Sequence, residues 1–134
     1  MARVIIDGMN VIGSRPTGWW RDRDAAVRTF VEDLVRLAAH DGGDICVVFD
    51  GLLPAGLAEG PYGGVEVVAS GRRGRNAADD RVVEMVEADP DPGSVAVVTS
   101  DRALRDRVRR LGASVGGPMD LLRRIEVCGD PSAS

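Results

Sequence analysis

The apolar positions fall into two kinds of run. Short apolar runs occur at residues 3–6, 45–49, 65–68 and 95–98, rich in Val and Ile and interrupted only by Arg3 and Glu66, and each gives way to Asp, Gly or Ser within a few residues. Runs of this length and composition predict strands covered on both faces. Between them the apolar residues recur at helical spacing. Val27, Phe30, Val31, Leu34, Val35 and Ala38 make the stripe of a helix over residues 22–39, with Asp22 and Asp24 near its start and Asp41-Gly42-Gly43 as its stop. Val82, Val83 and Val86 mark a second helix, capped by Asn76 and running to about residue 88. Leu104, Val108 and Leu111 mark a third, ended by Gly112. A short edge strand at 113–115 and a helix at 118–125, with Pro118 near its start, complete the order.

Helices set between nearly continuous apolar strands predict an α/β domain with a central, mainly parallel sheet. Right-handed crossovers would give it three layers. Two stretches read as loops. Residues 9–20 hold Pro16, two glycines and the tryptophans, Trp19 and Trp20, which either close the rim of the core or stack on a base. Residues 52–64 hold two prolines and several glycines, with room for one short helix at 53–58.

A length of 134 residues with a 44% hydrophobic share suits one domain, expected over residues 1–128, with 129–134 as a short flexible tail. No apolar stretch is long enough to span a membrane, and no secretory pattern precedes the first strand, so a cytoplasmic location is expected. Cys46 and Cys128 match no metal-ligand spacing and read as free thiols, Cys46 as a buried small hydrophobe. His40, the sole histidine, falls at a helix end and reads as a surface residue. No conventional zinc cluster and no nucleophile elbow accompany it.

The net charge of −4 argues against broad nonspecific nucleic-acid binding and leaves room for a local basic surface. All 17 basic residues are arginines. Arg72, Arg73 and Arg75 sit in a Gly-rich turn, where they either hold a phosphate backbone or form an ordinary solvated loop. Arg105, Arg107, Arg109 and Arg110 are less specific, because helices commonly carry such side chains on their wet faces.

Three strand ends carry an aspartate: Asp7, Asp50 and Asp101. Parallel strands would place all three on the edge where open α/β sheets bind ligands. Asp79 opens the helix after another strand and can approach the same edge; Asp80 is its alternative, one residue round the helix. Converging carboxylates repel one another, and Mg²⁺ or Mn²⁺ would neutralise them through oxygen ligands. The expected ligands are Asp7 and Asp101, with Asp79 third and Asp50 peripheral. The competing reading gives each aspartate a separate turn or cap role. Asn10 would orient a water, hold Asp7 or touch substrate, or serve only its loop. Thr99 and Ser100 would bond phosphate or a carboxylate, or serve only their turn.

The pieces Val-Ile-Ile-Asp-Gly-Met-Asn-Val-Ile (4–12), Val-Val-Phe-Asp-Gly (47–51), Ala-Asp-Asp-Arg-Val (78–82) and Val-Val-Thr-Ser-Asp (97–101), in this order and spacing, resemble the NYN group of PIN-like domains, and within it the YacP-like branch. The resemblance covers roughly residues 3–125. It implies a PIN-like fold with strand order 3-2-1-4-5, which brings the first and fourth strands together. It also implies a metal-dependent ribonuclease acting on RNA, structured or ribosome-associated in several members. Asp7, Asp79 and Asp101 carry over as acidic-site residues, Asn10 as the polar residue after the first aspartate, and Asp50 as the acidic end of the second strand. Asp80 matches a position that is often acidic. Met9 stands where this branch often has tyrosine, and Ala77 where threonine is common.

The leading expectation is therefore a Mg²⁺- or Mn²⁺-dependent ribonuclease, monomeric or homodimeric. The alternatives are a catalytically weak RNA-binding or regulatory domain on the same fold, and a small-nucleotide or phosphatase-like hydrolase. The absence of a Gly-x-Gly-x-x-Gly loop, a Walker motif and an Asp-x-Asp motif speaks against the last.

Overall fold

Successive strand residues point to opposite faces of a sheet, so a strand covered on both sides must be apolar throughout. The computed structural model describes residues 3–71 and 76–129 and has this arrangement. Its strands are β1 (Arg3–Asp7), β2 (Asp44–Phe49), β3 (Gly60–Tyr62), β4 (Val65–Ala69), β5 (Val95–Val98) and β6 (Ser114–Gly116). Its helices are α1 (Gly8–Gly13), α2 (Arg23–Asp41), α3 (Ala77–Ala88), α4 (Arg102–Arg110) and α5 (Pro118–Gly129), with 3-10 turns at Trp19–Arg21 and Pro92–Ser94. Neighbouring strand residues divide between two buried layers. Ile6, Val47, Phe49, Val67 and Val98 pack with Val11 and Ile12 of α1, the Phe30–Leu34–Leu37 stripe of α2, and Leu121, Leu122 and Ile125 of α5. Ile5, Cys46, Val48, Val68 and Val97 pack with Val82, Val83 and Val86 of α3 and Leu104 and Val108 of α4.

The strand order is β3-β4-β2-β1-β5-β6, parallel except for the β3–β4 pair. With the extra hairpin strand β3 set aside, the order is the expected 3-2-1-4-5.

Two expected loops contain structure. Residues 9–20 begin inside α1, a single short helix whose Val11 and Ile12 are buried. Six residues are too few to display a helical period. Residues 53–58 form no helix; a turn closed by the Leu57 amide on the Pro54 carbonyl at 3.1 Å leads instead into β3. The β3–β4 turn is Gly63-Gly64, with φ of 52° and 88°, the left-handed backbone that tight hairpins require. Asn76 occupies the position before α3, yet its side chain makes no capping bond. Its φ of −119° and ψ of 16° lie outside the extended region from which a capping side chain reaches back. Asp22 does cap α2, accepting from the Ala25 amide at 3.0 Å. The final helix continues past 125 to Gly129, and the residues expected as a tail after that lie outside the described residues.

Of the tryptophans, Trp19 packs against the core, whereas Trp20 is 63% exposed and meets Trp19 edge-on. An unforeseen buried carboxylate, Asp33 of α2, is held by Arg15 at 3.2 Å and by Arg36, and the Arg15 guanidinium lies 5.7 Å from the centre of the Phe30 ring. This ties the segment after α1 to the helix beneath it. Cys46 is buried, and burial, reinforced by the Glu66 charge, pushes its thiol up to about 12, as an inert core residue requires. No helix among the described residues is long and apolar enough to cross a membrane.

Gly8 sets how closely α1 seats on β2. A Cβ there would lie 2.6 Å from Phe49 Cε1 and 3.0 Å from the Val48 carbonyl oxygen. Gly8→Ala should therefore cost about 1–3 kcal/mol of stability through overpacking. Gly43→Ala, whose Cβ would meet nothing nearer than 3.9 Å, serves as the control. Urea unfolding of both variants checks this; equal stabilities would contradict the close approach.

Candidate active site

The chain steps outward from β1 to β2 and β4, then crosses back to the other side of β1 for β5 and β6. The strand order thus reverses between β1 and β5, and the carboxyl ends of strands that diverge at such a point are where open α/β sheets hold their ligand crevice. Register fixes what lines it. Ile6 pairs with Val98, so the next residues, Asp7 and Thr99, come side by side.

The Thr99 hydroxyl donates to Asp7 Oδ2 at 2.9 Å and accepts from the Asp101 amide at 3.1 Å. Asp7 is 7% exposed and Thr99 fully buried. A second tie runs parallel to the first: Asn10 Oδ1 accepts from both the amide and the hydroxyl of Ser100, at 2.9 and 3.1 Å. Asp101 Oδ1 in turn accepts from the Leu104 amide at 3.1 Å and caps α4. Thr99 thus bonds a neighbouring carboxylate while also serving its turn, whereas Ser100 bonds the Asn10 amide oxygen and Asp101 caps the next helix.

Asp79 enters from the first turn of α3. Burial pushes the Asp7 carboxyl up to about 6; the Thr99 bond opposes the shift, and repulsion from Asp79 and Asp101 adds to it. The Asp79 carboxyl is also raised, by burial and then by the Asp101 charge, against the pull of the Arg107 guanidinium. Asp80 and Asp50 add smaller repulsions. Asp7, Asp79 and Asp101 are thus electrostatic neighbours, with Asp50 at the margin near Asp79. Asp80 turns away to an ion pair with Arg107 at 3.0 Å. Arg72, Arg73 and Arg75 lie outside the described residues.

Two arginines at the site carry no signal in the sequence. Arg107 reaches across from α4 to α3, and Arg23 of α2 donates to the Asp50 carbonyl at 2.7 Å. Helical spacing marks Arg107 as exposed beside Leu104 and Val108, but contact between two helices depends on how they pack.

The donor set is of hard carboxylate oxygens, and Asp50 Oδ1 is buried with no hydrogen-bond partner among the described residues. Both features fit a hard divalent cation. The set is an open crevice rather than a closed cage. Among the described residues, only His40, Asp41 and Cys128 bring three ligand atoms all within 4.8 Å of one another. Those three sit at the last turns of α2 and α5, where the Arg124 guanidinium already pairs with Asp41 at 2.5 Å. An open crevice is compatible with Mg²⁺, which commonly takes one or two carboxylates and completes its shell with water and substrate phosphate.

The YacP-like NYN domain matches residues 4–132. The chain belongs to this family. NYN domains are PIN-like nucleases, and ribonuclease activity is supported at the family level. The fold agrees with solved structures of Rae1 (YacP) from Bacillus subtilis. One superposes with a TM-score of 0.78 at 23% identity, covering 96% of this chain and 76% of the other. A tryptophan-to-leucine mutant of it gives 0.76 at 22%, covering 96% and 77%. At such identities the likeness concerns the fold. Comparison with curated proteins gives no match.

Two consequences are measurable. Asp7 titrates near 6 in the folded chain against an ordinary 3.8. Folding thus favours its protonated form. That contribution is full below about pH 4 and is lost as pH rises through 6, so the ionised carboxylate costs on the order of 3 kcal/mol at neutral pH. Asp7→Asn, whose amide oxygen still accepts from Thr99, should be more stable than the parent at pH 7.5 in chelator and no more stable at pH 4. Urea unfolding at the two pH values checks this, and no gain at pH 7.5 would contradict it. Thr99→Val strips one bond from Asp7 and one from the Asp101 amide and should cost about 1–3 kcal/mol. It should also raise the Asp7 pKa further, which carboxyl NMR titration would detect; an unmoved titration would mean that Thr99 does not hold this carboxylate.

Proposed function

We propose that this chain is a divalent-metal-dependent ribonuclease that hydrolyses RNA phosphodiester bonds, with Mg²⁺ or Mn²⁺ held by Asp7, Asp79 and Asp101 and supported by Asp50. The observation that carries the reading is a buried carboxylate, Asp7, set at the sheet's switch point and flanked by two more. Among the described residues no arginine forms an ion pair with Asp7, Asp79 or Asp101. Crowded carboxylates left without an ion pair favour a cation as the missing partner.

When bound, such an ion would supply charge neutralisation at the phosphoryl oxygens and a lowered pKa for water. The chain's own residues keep the acceptors in place. Thr99 fixes one oxygen of Asp7 and the amide of Asp101 with a single hydroxyl. Asn10 locks the start of α1 to the turn after β5 through Ser100. The α4 cap restrains Asp101. Groups fixed before substrate arrives need no reorganisation during the reaction. Arg72, Arg73 and Arg75, in the connection between β4 and α3, are assigned to the RNA backbone on charge.

Cleavage of a panel of structured and single-stranded RNAs, in Mg²⁺, Mn²⁺ or chelator, tests the reading. The parent should cleave only with metal. Asp7→Asn and Asp101→Asn should each fall to the chelated background while remaining folded and binding RNA. Binding without any cleavage by the parent would mark a regulatory RNA-binding domain instead. Metal-independent cleavage untouched by either substitution would remove the acidic site from the chemistry.

A further inference from the structure

Helix α4 carries a charged face that the acidic crevice does not account for. Leu104 and Val108 bury one side of the helix, which leaves its five arginines to the other sides. Among the described residues Arg107 alone of the five is matched, by Asp80 across the α3–α4 contact. Among the described residues Arg102, Arg105 and Arg109 form no ion pair, a trait shared with Arg21, Arg23, Arg28 and Arg110, but they alone of these line one cavity together. The three recur at i, i+3 and i+7, which aligns them along one stripe over a rise of about 10 Å. They line a cavity of about 260 Å³ together with Ser100 and Asp106. Three guanidiniums there face one carboxylate, in a chain whose net charge is −4.

The cavity's position gives this charge a direction. Ser100 is one of its walls, and the same residue is bound through amide and hydroxyl to Asn10 at the acidic crevice. Asp101, which follows, is both a crevice carboxylate and the cap from which α4 starts. The arginine-lined cavity and the acidic cluster thus share Ser100 and its neighbour Asp101 as their common border.

We propose that Arg102, Arg105 and Arg109, with Ser100, form a docking subsite for the phosphodiester backbone of RNA leading out of the acidic crevice. The choice of RNA rests on the ribonuclease reading; the stripe and cavity do not. Planar guanidiniums suit phosphate oxygens, and backbone contacts of this kind position a strand without reading its sequence. Asp106 limits the charge of the subsite, which keeps binding local rather than indiscriminate.

The test is anisotropy of fluorescein-labelled oligouridylate with the parent, Arg105→Gln/Arg109→Gln and the control Arg123→Gln, in chelator across a salt series. The double variant should bind at least about tenfold more weakly, and its slope of log affinity against log salt should shrink by about 1–1.5, since each single-strand phosphate contact contributes about 0.7. Thermal unfolding should be unchanged, and Arg123→Gln should match the parent. In cleavage with Mg²⁺, the double variant should raise KM and leave kcat within about twofold. Affinity and slope equal to the parent's, or a parent that does not bind oligouridylate, would overturn the subsite. A parent that binds with the stated slope but never cleaves would uphold the subsite and remove the catalytic reading. Cleavage with KM unchanged in the double variant would do the reverse.

Discussion

The hydroxyl of Thr99 donates to a buried carboxylate on one strand and accepts from the amide that begins the next helix, and the crevice is organised around that pair of bonds. It works because β1 and β5 are neighbours in register, although Asp7 and Thr99 lie far apart in sequence. Without a parallel pairing at the switch point there would be no reason for Asp7, Asp101 and the start of α4 to share an edge. The cost is visible in Asp7, which is buried and repelled by its neighbours while the fold restrains it. Sites that hold such groups commonly give up stability for function.

Much of this was legible because the chain is locally consistent. The apolar runs at 45–49 and 95–98 could only be strands covered on both faces, and the aspartates that follow them mark one sheet edge. The Asp7 position is therefore a consequence of pattern plus topology. The resemblance ranked Asp79 above Asp80, and the packing of α3 against α4 gives the physical ground, since it hands Asp80 to Arg107 and leaves Asp79 toward Asp101. One residue of helical rotation decides that, and no local signal encodes it.

Other features were hidden for identifiable reasons. Helix α1 is a single short unit and displays no period, while its glycine at position 8 reflects the nearness of Phe49 rather than a turn. The Gly63-Gly64 hairpin did carry a signal, two glycines between short runs of strand formers, but β3 has only three residues and one is proline. Asn76 had the right identity for a cap and the wrong backbone for it. The arginines of α4 look like any wet helical face until packing pairs Arg107 with Asp80 and gathers Arg102, Arg105 and Arg109 around one cavity.

The sheet's two margins bear on how the molecule behaves among its own copies. One ends in Gly60–Tyr62 and the other in Ser114–Gly116, each only three residues long. Pro61 lacks an amide hydrogen, and the outer ladder of β3 is interrupted at its centre. Short, broken borders give a neighbouring chain little backbone to pair with, which is how β proteins avoid growing into fibres. A sheet so apolar in its interior strands stays finite because its outermost strands are poor templates.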